Sequence, residues 1–197
     1  MHLGKLPLPV LVVALAACAN EPQLLNSERI EQRFGSFGID VLLSEPGLRL
    51  SNLYSFEQGI PVCRTYAIVR FVDELDRAIS AEHEQVLAGN SIGATFKANG
   101  WEVHKQTQFI GQISLQHADP SIAEAMRVAP TRDVAVHVYQ FFLTKGGQWV
   151  DYATIIELHH PDYLTREGLR RLFPVATDAE LTVEQVQNLI SQSLDAA

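Results

Sequence analysis

Cysteine is scarce in this chain: Cys18 and Cys63 are the two among 197 residues. That excludes the paired-cysteine metal motifs. No glycine-rich run has the spacing of a phosphate-binding loop or a dinucleotide fingerprint, so no cofactor is expected. Positive charge is also in short supply. Fifteen Lys and Arg against 23 Asp and Glu leave a formal charge of −8. Such a balance suits neither nucleic acid nor anionic lipid, and no nucleic-acid partner is expected. Beyond one N-terminal run, no apolar stretch approaches the roughly 20 residues that a spanning helix needs.

That run extends from Leu6 to Ala17, follows Lys5 and contains Pro7 and Pro9. A basic start, an apolar middle and small residues at the end have the layout of a secretory signal. The run closes on Leu15-Ala16-Ala17-Cys18, and with these four residues it resembles a bacterial lipoprotein signal. The resemblance covers only the first 20 or so residues. It implies cleavage before Cys18, which becomes the lipid-attachment residue, acylated (palmitate among its chains) at the mature N-terminus. Ala19 stands where an Asp would hold such a protein in the inner membrane, so the resemblance implies the periplasmic face of the outer membrane. With Cys18 lipidated, Cys63 has no partner for a disulfide, and the fold must rest on its core. The expected division is a signal peptide over 1–17, a lipidated cysteine with a short tether over 18–25, and a single domain over 26–197. The globular part resembles no family.

Periodicity predicts an α+β domain whose mainly antiparallel sheet is built from two hairpins, about 48–72 and 134–158, with flanking helices. Gln58-Gly59 and Gly146-Gly147 mark the turns. With the second turn fixed, Phe141 is expected to face Tyr152, and His137 to face Ile156, on a core side. Val136 against Glu157 and Val134 against His159 then fall on the opposite, mixed side. The hairpins look alike, which hints at an internal duplication. Asn26 or Ser27 caps a first helix carrying Ile30, Phe34 and Phe37. A helical stretch over 80–99 is divided near Gly89 and Gly93. Thr165 caps a helix that ends at Phe173. Thr182 and Gln185 form a capping box ahead of a stripe of Val183, Val186, Ile190 and Leu194.

Few residues point to chemistry. Gly89-Asn90-Ser91-Ile92-Gly93 matches the nucleophile-elbow pattern, and chain order permits a triad with Asp133 or Glu157 and then His159 or His160. The pattern lacks the buried strand that should precede the serine, so a helix kink or a close helix contact accounts for the glycines equally well. Glu157, His159, His160 and Asp162 are the densest set of potential metal ligands, but they match no zinc spacing, and no metal site is assigned. Cys63 is expected in the core beside Ala67, Val69 and Phe71. His137 is expected to be a hydrogen-bonded core residue. Arg166, Arg170 and Arg171 form a basic patch, with Glu167 paired to Arg171.

The reading taken from the sequence is a membrane-anchored periplasmic lipoprotein acting as a non-enzymatic interaction module, with the lipid bilayer and an envelope protein as partners and no catalytic residue. The alternatives are a small serine hydrolase using Ser91 and a metal- or small-ligand-binding module on the sheet.

Overall fold

The computed structural model describes residues 24–118, 120–173 and 181–195. The signal segment and Cys18 lie outside the described residues. Among the described residues, no helix is long and apolar enough to cross a membrane.

The elements run α1 (Asn26–Phe34), β1 (Gly38–Glu45), β2 (Leu48–Glu57), β3 (Ile60–Phe71), α2 (Ser80–Leu87), α3 (Ile92–Ala98), β4 (Glu102–Ser114), α4 (Pro120–Met126), β5 (Asp133–Lys145), β6 (Gln148–His159), α5 (Arg166–Leu172) and α6 (Val183–Asp195). The six strands form one sheet in the order β1-β2-β3-β6-β5-β4, antiparallel at every pairing. The two expected hairpins are β2–β3 and β5–β6. Their turns place Gln58, Gly59, Gly146 and Gly147 all at positive φ, the two-residue form that matches strand twist.

Helices cover both faces of the sheet. Leu50, Ile68, Val136, Val138, Ile156 and Leu158 pack under α4 and α6 through Ile122, Met126, Val186 and Ile190. The opposite face carries Val69, Tyr139, Phe141 and Ile155 against Val86 of α2 and Phe96 of α3. On that face Ala135 and Ile110 meet Ile30 of α1 and Leu169 of α5. Because it is covered twice, central strand β3 is buried at eight successive positions, 62 to 69, as expected for a strand with no solvent face. The mixed side inferred for the second hairpin is therefore the floor of a second core.

The start signals hold in part. Thr182 and Gln185 form the reciprocal pair, with Thr182 N donating to Gln185 Oε1 at 2.7 Å and Gln185 N to Thr182 Oγ1 at 3.3 Å. Thr165 Oγ1 accepts the Gly168 N–H at 3.1 Å. At α1 the expectation fails. Asn26 and Ser27 lie inside the first turn and are buried, Leu25 precedes it, and the Leu25 N–H is taken by Glu28. Leu25, assigned to the tether, is itself buried. Val183 is 45% exposed rather than part of the buried stripe. Glu167 pairs with Arg166 at 3.1 Å, not with Arg171.

Two bulges correct the inferred registers. Leu143 faces Val150 and Phe142 faces Asp151 as expected, but Phe141 then faces Ala153, which leaves Tyr152 as the extra residue. Beyond it every pairing moves by one: His137 faces Glu157, and Ala135 faces His159. A second bulge at Arg64, between the pairs Leu53–Thr65 and Tyr54–Cys63, turns Cys63 to the face of Tyr66 and Ile68 rather than that of Ala67 and Val69. Its burial stands, and it pushes the thiol up to about 12. At that value Cys63 is an inert core residue.

Candidate functional site

A cavity of about 70 Å³ lies between the sheet, α1 and the start of α3. Small residues open it. Ser51 of β2 and Ala67 of β3 are cross-strand partners on a face whose neighbours are Val69, Phe141 and Ile155, so volume is missing where the two meet. Leu25 and Ile92 close the top, and Arg49, Lys105 and Glu157 are the charged groups in the wall.

Arg49 is 1% exposed. Its Nη1 donates to Asn90 O at 3.0 Å and its Nη2 to Gly89 O at 3.4 Å. Nε is buried with no partner among the described residues. A guanidinium carries five N–H donors, so most of this one is unused, and among the described residues no carboxylate is paired with it. Burial lowers its pKa, with Tyr152 acting weakly the other way. A buried cation lacking an anion is costly.

Lys105 projects from edge strand β4 and is half-buried. Its Nζ lies 4.3 Å from the centre of the Tyr139 ring and 5.5 Å from that of Phe173. Among the described residues it forms no hydrogen bond and no ion pair. Burial lowers its pKa, and Glu157 opposes that shift in part. Burial also works to raise the Glu157 carboxyl, but Lys105, His159 and hydrogen bonds from Tyr139 and Asn26 outweigh it and hold the group below its usual value. Glu157 is therefore an anion at neutral pH. Burial and Glu157 push the Tyr139 phenol well up, so it stays a neutral donor.

Beneath Glu157 the polar groups are locked. Asn26 Nδ2 donates to Glu157 Oε1 at 3.0 Å and to Thr65 Oγ1 at 3.1 Å, and Tyr163 Oη donates to Asn26 Oδ1 at 2.6 Å. His159 Nδ1 lies 3.0 Å from Thr65 Oγ1, and the Glu157 carboxylate beside Nε2 favours the tautomer in which Nδ1 accepts the Thr65 hydroxyl proton. The ring proton of His159 then belongs on Nε2. That atom has no partner and stands 3.7 Å from Glu157 Oε2. His137 bonds Thr107 Oγ1 through Nε2 at 3.1 Å and is fully buried, as expected, although its Nδ1 is unpartnered.

The elbow pattern has a conformational cause. Ser91 follows helix α2, not a strand, and it precedes the first turn of α3. Gly89 sits at φ +110°, which ends α2. A Cβ on Gly93 would lie 2.6 Å from Leu25 Cδ2, so glycine lets α3 approach the cavity roof. No histidine hydrogen-bonds Ser91 among the described residues. Asp133 is exposed at the start of β5, and Glu157 and His159 bond elsewhere. The hydrolase alternative is corrected on these grounds. A fluorophosphonate probe is expected to leave Ser91 unlabelled by intact-mass analysis, because no base among the described residues is placed to take its proton.

The metal-ligand set is divided as well. Glu157 and His159 share the α1 side, whereas His160 Nδ1 accepts the Asp162 N–H. No group of three or more ligating side chains forms among the described residues. Arg170 and Arg171 are exposed on α5. A wider groove of about 400 Å³ contains Arg64, Arg127, Arg132 and His160, but its buried cation is satisfied: Arg64 bonds Ser55 and Glu57 and lies over the Phe34 ring.

No family model and no curated protein matches the chain. Among solved structures it is similar to one described as a GntR-family transcriptional regulator from Enterococcus faecalis, at 11% identity and TM-score 0.40, covering 66% of this chain and 93% of that one. It is also similar to the C-terminal domain of a histidine utilization repressor from Pseudomonas syringae pv. tomato, at 11% identity and TM-score 0.39, covering 66% and 95%. Both are described as regulators or parts of them, and neither as an envelope protein. On that finding the expectations of a lipid-anchored interaction module, of an outer-membrane location, of membrane and envelope partners and of no nucleic-acid partner are withdrawn. Likenesses of this size say nothing about what this chain binds.

Proposed function

We propose that the chain is a small-molecule-binding domain whose ligand is a monocarboxylate held in the cavity over the β2–β3–β6–β5 floor. The observation that carries the reading is Arg49, a buried guanidinium without an anion in the wall of a cavity. Arg49 and Lys105 against Glu157 leave one net positive charge, which suits a singly charged ligand. Carboxylate geometry matches a guanidinium's paired donors. The rest of the wall, with Ile39, Leu53, Val69 and Phe141, favours a short apolar body.

Size sets the scale. A cavity of about 150 Å³ holds benzene, so about 70 Å³ takes roughly three or four non-hydrogen atoms. That is a carboxylate with one or two carbons. At about 1 kcal/mol per atom such a ligand binds in the millimolar range. Calorimetric titration with formate and with acetate is expected to give one site per chain, weakened as chloride rises. Absence of saturable heat for both, together with no shift of the Ser51 and Ala67 amide resonances, would overturn the reading.

A further inference from the structure

We propose that Leu53 is the length stop of the cavity, the residue that limits the bound monocarboxylate to one or two carbons. The inference rests on the monocarboxylate reading and adds to it the residue that selects among such acids.

The strand registers place the ends of the cavity. Arg49, Ser51 and Leu53 alternate along β2, so all three project from one face. Arg49 pairs with Val69, Ser51 with Ala67 and Leu53 with Thr65. Three rungs therefore cross the floor, and the middle one carries the two small side chains. Free space is centred on that rung, with Arg49 one rung to one side and Leu53 one rung to the other. Four residues along a strand span roughly 13 Å between Cα atoms, and both side chains belong to the cavity wall. They close it from opposite ends.

Leu53 is backed by other side chains. Ile39 of β1 is its cross-strand partner and lines the same cavity. Leu53 also packs on the cluster that contains Ile30, Ile110 and Tyr163. A side chain held in this way yields to a longer ligand only by breaking close-packed contacts. The β6 side is closed by charge. Glu157 is the neighbour of Ala67 there, and as an anion it repels a carboxylate. The charged end of the ligand is thus confined to the Arg49 rung, and its carbons run over Ser51 and Ala67 toward Leu53. Ala67 sets the depth under them and Leu53 the length.

The test is calorimetric titration of the full chain with formate, acetate, propionate and butyrate. The parent is expected to bind propionate and butyrate at least tenfold more weakly than acetate, because the added carbons meet Leu53. Leu53→Ala removes three carbons from the wall. In that variant affinity should rise about fourfold with each carbon from acetate to butyrate, which reverses the order of the parent. Leu53→Met keeps the volume and should keep the parent's order. Ala67→Val fills the floor, and acetate should weaken at least tenfold with no fall in the unfolding temperature. A side chain that served only the fold would weaken all four acids together, so uniform weakening in Leu53→Ala overturns the proposal. If the parent binds acetate and Leu53→Ala keeps the parent's order, the length stop is lost and the carboxylate site stands. If the parent binds neither formate nor acetate, the monocarboxylate reading fails and the length stop with it.

Discussion

Arg49→Met is expected to weaken monocarboxylate binding by roughly 10- to 100-fold while leaving the fold as stable as before, or up to about 2 kcal/mol more stable. The two effects have one origin. The guanidinium is 1% exposed and, among the described residues, bonds two backbone carbonyls, those of Gly89 and Asn90. Its buried Nε is unpartnered, a deficit of about 1–3 kcal/mol. Methionine fills a similar volume with no donor to satisfy. The loss of the two carbonyl bonds offsets part of that gain. A residue whose charge served the fold would behave in the opposite way: its removal would lower stability and leave the ligand indifferent. Urea unfolding together with acetate calorimetry on the same variant separates the cases. A drop of several kcal/mol in stability with unchanged affinity would make Arg49 a structural cap of α2 and remove the basis for a carboxylate site.

The elements were legible because their signals are local. The two glycine turns, the Thr182–Gln185 pair and the break between α2 and α3 each depend on residues within a few positions of one another. The site was not legible, for two reasons. Alternation in β2, with Leu48 and Leu50 apolar and Arg49 and Ser51 polar, reads as a strand with one wet face. Here the second face is covered by helices, so the polar set lies inside. A sequence signal did exist in the small residues Ser51 and Ala67, which leave space only when paired. The other reason is the bulge at Tyr152. A bulge shifts register by one and exchanges faces beyond it. Counting back from Gly146-Gly147 puts Glu157 opposite Val136, away from His137. The extra residue brings Glu157 level with His137 and beside Tyr139, and so builds the anionic end of the cavity. Tyr152 is held there by a T-shaped contact with Phe96 at 4.8 Å and by Phe71 at 5.3 Å. Those contacts come from distant elements and have no local signature.

Acidification from pH 7 to pH 4 is expected to cost the folded chain about 3 kcal/mol through His159 alone. Burial is the main cause of its shift, from 6.5 down to about 4; Glu157 pulls the other way, and Lys105 and Arg29 add to the lowering. The unfolded chain takes up this proton near 6.5 and the folded chain only near 4. Between those values the unfolded state holds more protons, so stability is complete above 6.5 and falls as pH drops toward 4. The slope there approaches about 1.4 kcal/mol per pH unit. Below both values the effect is constant. His137, also pushed down mainly by burial, adds loss of the same sign. The geometry explains why His159 resists the proton. Nδ1 accepts from Thr65, so a second ring proton would turn that hydroxyl round and forfeit the bond it donates. Glu157 stands 3.7 Å from Nε2 and is engaged by Asn26, too far and too occupied to compensate. His159→Gln keeps an acceptor for Thr65 and does not titrate. Urea unfolding at pH 7 and pH 4 should therefore show the parent chain losing about 3 kcal/mol more than the variant. Equal losses in the two proteins would mean that the folded chain accepts the proton at His159 as readily as the unfolded one, and that the arrangement under Glu157 opens to solvent.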